Sequence, residues 1–153
     1  MTRIAVTDAS PLINFHQIDR LDLLRRVFSR VVAPPAVARE TAPSLGALPP
    51  WIAEGSPPAF PQEALALDAG EREAIALAVH LSAAVILDDL AARKIAARLG
   101  LLVVGSVGVL LEARRRGYIE VVRPDLDAMI ANGLYITDRL YREALQIAGE
   151  TDY

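Results

Sequence analysis

The residues of this sequence best suited to chemistry are carboxylates that stand at the ends of predicted strands. Asp8 follows an apolar run at 3–7. Asp88 and Asp89 follow a second apolar run, at 85–87, without a spacer. Two adjacent carboxylates at the end of a buried strand repel each other and resist burial. A hard divalent cation relieves that repulsion, and oxygen-only ligands suit magnesium, manganese or calcium. The pattern therefore indicates metal-assisted hydrolysis of a phosphoester, in which the ion activates a water molecule.

Three glutamates add to this acidic set. Glu40 lies on the helix predicted after the second strand. Glu71 and Glu73 lie in the first turn of the helix that starts after Gly70. Each acid alone has an ordinary structural explanation, as a helix cap, a partner of the helix dipole or a solvated residue; Asp89, for example, suits the N-cap of the next helix. Their ordered placement together favours a single cleft with four or more carboxylates.

Composition limits the classes of protein that this chain can be. Its 153 residues are enough for one domain, and the absence of cysteine excludes a disulfide framework and a thiolate metal site. The net charge of −3 excludes a chain-wide basic surface, so binding of nucleic acid would need local cations. The first ten residues lack the layout of a signal peptide, and no apolar run approaches the roughly 20 residues of a membrane span. We therefore expect a cytoplasmic protein without a membrane segment.

The elements that must position these acids alternate between strands and helices. Strands are predicted at 3–7, 31–33, 85–87 and 101–106, with a short strand or extended segment at 118–124. Glycines at 100, 117 and 133 end predicted helices, and the proline-rich stretch at 43–62 is predicted to be irregular. Apolar strands separated by helices are typical of a mostly parallel sheet covered by helices, with sites beyond the carboxyl ends of the strands. Asp8 and the Asp88–Asp89 pair are therefore expected at the same edge.

Several stretches together resemble the PIN-domain superfamily. They are VTDASPLI, VVAPPAVARET, GEREAIALA, VILDDLAARKIAARLGLLVVGSVGVLLEARRRG and the ending PDLDAMIANGLYITDRLYREAL. The likeness is greatest to small prokaryotic PIN-like proteins described as nucleic acid-binding and related to VapC-type toxins. It implies a three-layer α/β/α PIN-like fold with a central, mostly parallel sheet and a C-terminal helical extension. It further implies a single domain over 1–153, in which the helical tail at 123–153 packs on the body or on a dimer partner.

The resemblance also implies which residues act. The metal-binding and catalytic acids would be Asp8, Glu40, Glu73 and Asp89. Ser10 matches a hydroxyl position that supports the first acid. Asp88 stands where many relatives carry a neutral or basic residue, so the choice between Asp88 and Asp89 stays open, and Asp88 is kept as a further metal ligand. Glu71 replaces Glu73 if the helix register differs by half a turn.

The implied activity is that of a magnesium- or manganese-dependent endoribonuclease, the toxin of a type II toxin–antitoxin pair. Its partners would be RNA, a small antitoxin protein and a second copy of the chain in a homodimer. Arg93, on the helix after the double aspartate, is positioned to contact a substrate phosphate.

Two other hypotheses are compatible with the same acids. One is a catalytically weak or inactive module that binds nucleic acid or protein on the same fold. The other is a phospho-acceptor receiver domain, which is less well matched because the first strand ends in a single aspartate and the only lysine, Lys94, follows the acidic pair.

Overall fold

Five strands and eight α-helices form the fold of residues 3–150, the part of the chain that this computed structural model describes. The strands are β1 (Ile4–Thr7), β2 (Arg30–Ala33), β3 (Ile52–Glu54), β4 (Ala84–Ile86) and β5 (Val103–Val104). The helices are α1 (Ala9–Gln17), α2 (Leu23–Val27), α3 (Pro35–Leu45), α4 (Ala69–Leu81), α5 (Leu90–Arg98), α6 (Ser106–Arg115), α7 (Arg123–Ala131) and α8 (Asp138–Ile147). A 3-10 turn at Gln62–Ala64 precedes α4.

The strands form one sheet in the order β3-β2-β1-β4-β5, and every adjacent pair is parallel. β1 lies at the centre, with Ala5 beside Val31 of β2 on one side and beside Ala84 of β4 on the other. The chain leaves β1 towards β2 and later returns to the opposite side as β4. Open parallel sheets bind their ligands at such a reversal, and the region beyond the carboxyl ends of β1 and β4 is called the crevice below.

Both faces of the sheet are apolar because helices cover both. Ala5 and Ile86 point into a core shared with α1, α2, α6, α7 and α8. Their neighbours Val6 and Val85 point into a second core shared with α4 and α5. Successive side chains of a strand face opposite sides, so strands buried on both faces are continuous hydrophobic runs. The result confirms the predicted three-layer α/β/α architecture, and the sheet is entirely parallel.

The structure adds detail to two stretches that the sequence left loosely defined. The stretch at 43–62 contains an edge strand, β3, because its proline-free centre pairs Ile52 with Val31. No strand forms at 118–124 within the described chain; Pro124 instead lies in the first turn of α7, where proline is well tolerated. The glycines at 100, 117 and 133 have positive φ angles, which confirms that they follow helix ends.

The C-terminal helices follow the last strand, as predicted. α8 buries Ala144 and Leu145 against the body, and Ala148, which follows the helix, is buried as well. The Glu150 carboxylate accepts hydrogen bonds from the backbone N–H groups of Val122, at 2.7 Å, and Arg123, at 3.0 Å. Residues 151–153 of the predicted tail lie outside the described residues. None of the helices between residues 3 and 150 has the length and apolar character that a bilayer crossing requires.

Candidate active site

Asp8 lies at the carboxyl end of the central strand, and it is 5% exposed. Its backbone N–H donates to the Ile86 carbonyl at 3.1 Å, so the end of β1 remains aligned with the end of β4. Burial raises the pKa of Asp8 from 3.8 to about 7, against the opposing effect of the Ala9 backbone N–H. The negative charges of Asp68, Glu40 and Asp88 raise it further. Asp8 is therefore a buried carboxylate at the crevice, and no cation within residues 3–150 forms an ion pair with it.

Glu40 reaches this carboxylate from α3, across the first turn of α4. A Cβ atom placed on Gly70 would lie 2.6 Å from Glu40 Oε1 and 3.0 Å from Asp8 Oδ1. The glycine thus leaves room for two carboxylate oxygens from different elements to approach one point. Partial burial raises the pKa of Glu40, and the charge of Asp68 adds to the effect.

The first turn of α4 adds two more acids to the crevice. Asp68 is the N-cap, and its Oδ1 accepts the Glu71 backbone N–H at 2.9 Å. Burial raises the pKa of Glu71 to about 7, and the charges of Asp68, Asp8 and Asp89 raise it further. The sequence identified Asp68 only as a helix cap. The structure places its charge against Asp8, Glu40 and Glu71.

Glu73 points elsewhere. Its Oε1 accepts the backbone N–H of Ala36 at 3.0 Å, which supplies an acceptor to the first turn of α3. Its negative charge contributes to the raised pKa of Glu40. The structure therefore brings Glu71, rather than Glu73, towards Asp8.

The two adjacent aspartates have different surroundings. Asp89 is exposed and caps α5, because its Oδ2 accepts the Ala92 backbone N–H at 3.0 Å. Asp88 is half-buried, and its Oδ1 accepts the Ser106 backbone N–H at 2.7 Å. Its Oδ2 accepts the Ser106 hydroxyl at 2.5 Å and the Asn14 side-chain amide at 3.0 Å.

Ser106 and Asn14 are site residues that the sequence did not single out. Ser106 is the second residue after β5. A polar residue at the carboxyl end of a predicted parallel strand is a signal that could have identified it as a site residue. Asn14 is a lone amide within the apolar stretch of α1, and no pattern of spacing connects it with Asp88.

The two remaining predicted residues lie nearby. Ser10 is exposed in the first turn of α1, and within residues 3–150 its hydroxyl forms no hydrogen bond with Asp8. Arg93 is half-buried, and its Nη1 donates to the Leu87 carbonyl at 2.8 Å. This bond holds the guanidinium at the end of β4, next to the acidic crevice.

The donor set partly fits a divalent cation. No three His, Cys, Asp or Glu side chains of the described residues converge into one group that could hold a metal ion. Magnesium, however, needs only one or two carboxylates, because it keeps several of its water ligands. Asp8 and Glu40 meet that requirement, since their oxygens approach the same point above Gly70.

Comparison with known proteins identifies the family. No curated protein matches the chain. A family model described as a PIN domain (DUF3368) matches residues 4–150, which is nearly the whole sequence. PIN domains are generally nucleases, so this match suggests a nuclease-type function and a nucleic-acid substrate. With its parallel sheet and the acids gathered beyond β1 and β4, the chain belongs to the PIN-domain superfamily.

Proposed function

We propose that the chain is a metal-dependent endoribonuclease that hydrolyses RNA phosphodiester bonds with carboxylate-held Mg²⁺ or Mn²⁺. The observation that carries the proposal is the approach of Asp8 and Glu40 above Gly70, at the crevice of the sheet. An aspartate whose pKa is raised to about 7 by burial is costly to ionise, and a bound cation offsets that cost.

In this proposal each acid has a role that follows from its position. Asp8 and Glu40 would hold the ion, which supplies an activated water and stabilises the leaving oxygen. We assign the third acidic position to Glu71, because the negative charge of Asp8 raises the pKa of Glu71. The Glu73 carboxylate instead accepts a hydrogen bond from the backbone N–H of Ala36 in α3. Asp89 takes the fourth position, at the exposed mouth of the crevice where substrate enters.

Arg93 would contact a substrate phosphate. Among the described residues it forms no ion pair, and only its Nη1 is committed, to Leu87. The arginines at the end of α6 are less suited to this role, because Glu112 already binds Arg115 and Arg116. The phosphate of a bound strand would therefore lie between Arg93 and the metal-binding acids.

A purified-protein cleavage assay tests this function. Wild type should cleave RNA with Mn²⁺ or Mg²⁺, and chelation should abolish the cleavage. Asp8→Asn should lose it, whereas the matched control Asp22→Asn should keep it, because Asp22 is exposed and its side chain caps no helix. Equal cleavage by wild type and Asp8→Asn would trace the activity to a contaminant and refute the assignment.

We further propose that the protein is a single cytoplasmic domain and the toxin of a type II pair, bound by a small antitoxin and paired with a second copy. The resemblance to VapC-type toxins supports the antitoxin. Exposed apolar side chains support an interface between copies: Tyr135 is 83% and Ile147 is 73% exposed. Light scattering should show a dimer that Ile147→Glu dissociates; a wild-type monomer at micromolar concentration would contradict the pairing.

A second candidate function is a binding module with little or no catalysis. It is favoured by one observation, that no three ligating side chains of residues 3–150 form a single group. Calorimetric titration with Mn²⁺ separates the two candidates. Saturable binding that Asp8→Asn abolishes supports the nuclease, and no binding at millimolar ion supports the module.

A further inference from the structure

Asp88 is the most completely hydrogen-bonded carboxylate of the crevice. Its Oδ2 accepts both the Ser106 hydroxyl and the Asn14 amide, at 2.5 and 3.0 Å. Its Oδ1 accepts the Ser106 backbone N–H at 2.7 Å. Because each carboxylate oxygen offers about two lone-pair sites, Oδ2 is fully used and Oδ1 keeps only one. Asn14 also donates to the Ser106 hydroxyl oxygen at 3.3 Å, which closes the three side chains into a ring.

This arrangement fixes the beginning of α6 to the end of β4. The N-cap of α6 is Gly105, which has no side chain to accept the first free N–H groups of the helix, and Asp88 supplies the acceptor instead. A Cβ atom on Gly105 would lie 3.1 Å from Asp88 Oδ1 and 2.6 Å from Arg93 Nη1. The glycine therefore permits both the carboxylate and the guanidinium to approach the helix start.

The same carboxylate is coupled to Asp8. Ile86 of β4 accepts the Asp8 backbone N–H, and Asp88 follows Ile86 by two residues on the same strand end. The negative charge of Asp88 raises the pKa of Asp8, after the larger effects of burial, Asp68 and Glu40. A rotation of the Asp88 side chain would therefore change the electrostatic field at the metal-binding pair.

We infer that Asn14 and Ser106 are positioning residues, which hold the Asp88 carboxylate in one orientation and so set the field and geometry around Asp8. Asp88 thereby fixes the strand end, while Asp89, whose Oδ2 caps α5, keeps its Oδ1 for the ion and the substrate. This inference rests on the proposed nuclease function.

The test compares Ser106→Ala and Asn14→Ala with wild type in three measurements: RNA cleavage, Mn²⁺ affinity by calorimetry, and thermal unfolding. Loss of a group that orients a metal-site residue typically costs 10–100-fold, so we expect at least about a tenfold loss in kcat or in Mn²⁺ affinity. KM for RNA should change little, because neither side chain is placed on the substrate path. Ser106→Thr keeps the hydroxyl and should restore both quantities.

Matched controls come from exposed positions. Ser29→Ala and Asn132→Ala remove the same chemical groups away from the crevice. Ser29 precedes β2, and among the described residues the Asn132 side chain bonds only Ala128 of its own helix. Both should keep wild-type cleavage and Mn²⁺ affinity.

A double exchange separates positioning from stability. Asp88→Asn combined with Asn14→Asp preserves a carboxylate–amide pair but moves the charge from the segment after β4 to α1. We expect thermal stability to recover relative to Asp88→Asn alone, while cleavage and Mn²⁺ affinity remain reduced. Recovery of both functions by the exchange, or wild-type values for Ser106→Ala and Asn14→Ala, would overturn the inference. An inactive wild type that binds no Mn²⁺ would instead refute the nuclease function itself.

Discussion

Replacing Asp8 by asparagine should stabilise the metal-free protein at neutral and basic pH. Asp8 is buried at the end of β1, and three other carboxylates add to the cost of its negative charge. Asparagine has nearly the same shape and carries no charge at any pH. Removal of the Asp8 charge therefore removes the free-energy cost of burying that charge near other carboxylates. In the wild-type protein a bound cation would offset the same cost.

The size of the effect follows from the pKa of Asp8, which burial raises from 3.8 to about 7. In the unfolded chain the group ionises near its ordinary value, so the folded state binds more protons between these limits. Stability from this group is complete below pH 3.8 and falls as pH rises to about 7. At about 1.4 kcal/mol for each pKa unit, the full loss is about 4 kcal/mol. Between pH 5 and pH 8 the loss is roughly 2–3 kcal/mol.

Urea unfolding in the presence of a chelator measures this difference. The gap in free energy of unfolding between Asp8→Asn and wild type should widen by roughly 2–3 kcal/mol from pH 5 to pH 8. Glu71 also has a raised pKa, but it is present in both proteins and largely cancels. Added Mn²⁺ should stabilise wild type at pH 8 and leave the variant unchanged. A gap that is constant with pH, or a variant that is less stable at pH 8, would refute the reasoning.

Four further substitutions have outcomes set by the same geometry. Gly70→Ala should fold but lose at least about tenfold in Mn²⁺ affinity, because its Cβ would lie 2.6 Å from Glu40 Oε1; unchanged calorimetry would contradict this. Glu71→Gln should reduce cleavage, whereas Glu73→Gln should mainly lower stability by about 1 kcal/mol through its weakened cap, as urea unfolding would show. Gly105→Ala should reduce thermal stability by crowding Asp88 and Arg93; an unchanged melting temperature would contradict the close approach.

Much of the fold was predictable because its signals are local. Runs such as Ile4–Thr7 are apolar on both faces, which predicts strands buried between two helical layers. Asp68 and the glycines at helix ends act within a few residues of their own position. The edge strand β3 was missed because three residues among prolines carry little pattern, and only their pairing with β2 makes them a strand.

The candidate site was predictable in outline, because a parallel sheet brings the ends of β1 and β4 to one edge whatever the side chains do. The sequence did not show which glutamate of α4 faces Asp8. Glu71 and Glu73 are only two residues apart, and the rotation of the helix about its axis determines which of them points towards Asp8. That rotation depends on how α4 packs against α3, where Glu73 meets the Ala36 N–H.

The sequence by itself determined the order of elements and the edge at which the acids gather, since both depend on short-range pattern and on the direction of parallel strands. Only the tertiary structure decided the role of each neighbour. Asp88 and Asp89 are adjacent residues of the same type, and the sequence does not distinguish them. In the structure, Asp88 is bonded by Asn14 and Ser106, whereas Asp89 is exposed and caps α5. The difference arises because the partners of Asp88 come from α1 and α6, 74 and 18 residues away along the chain.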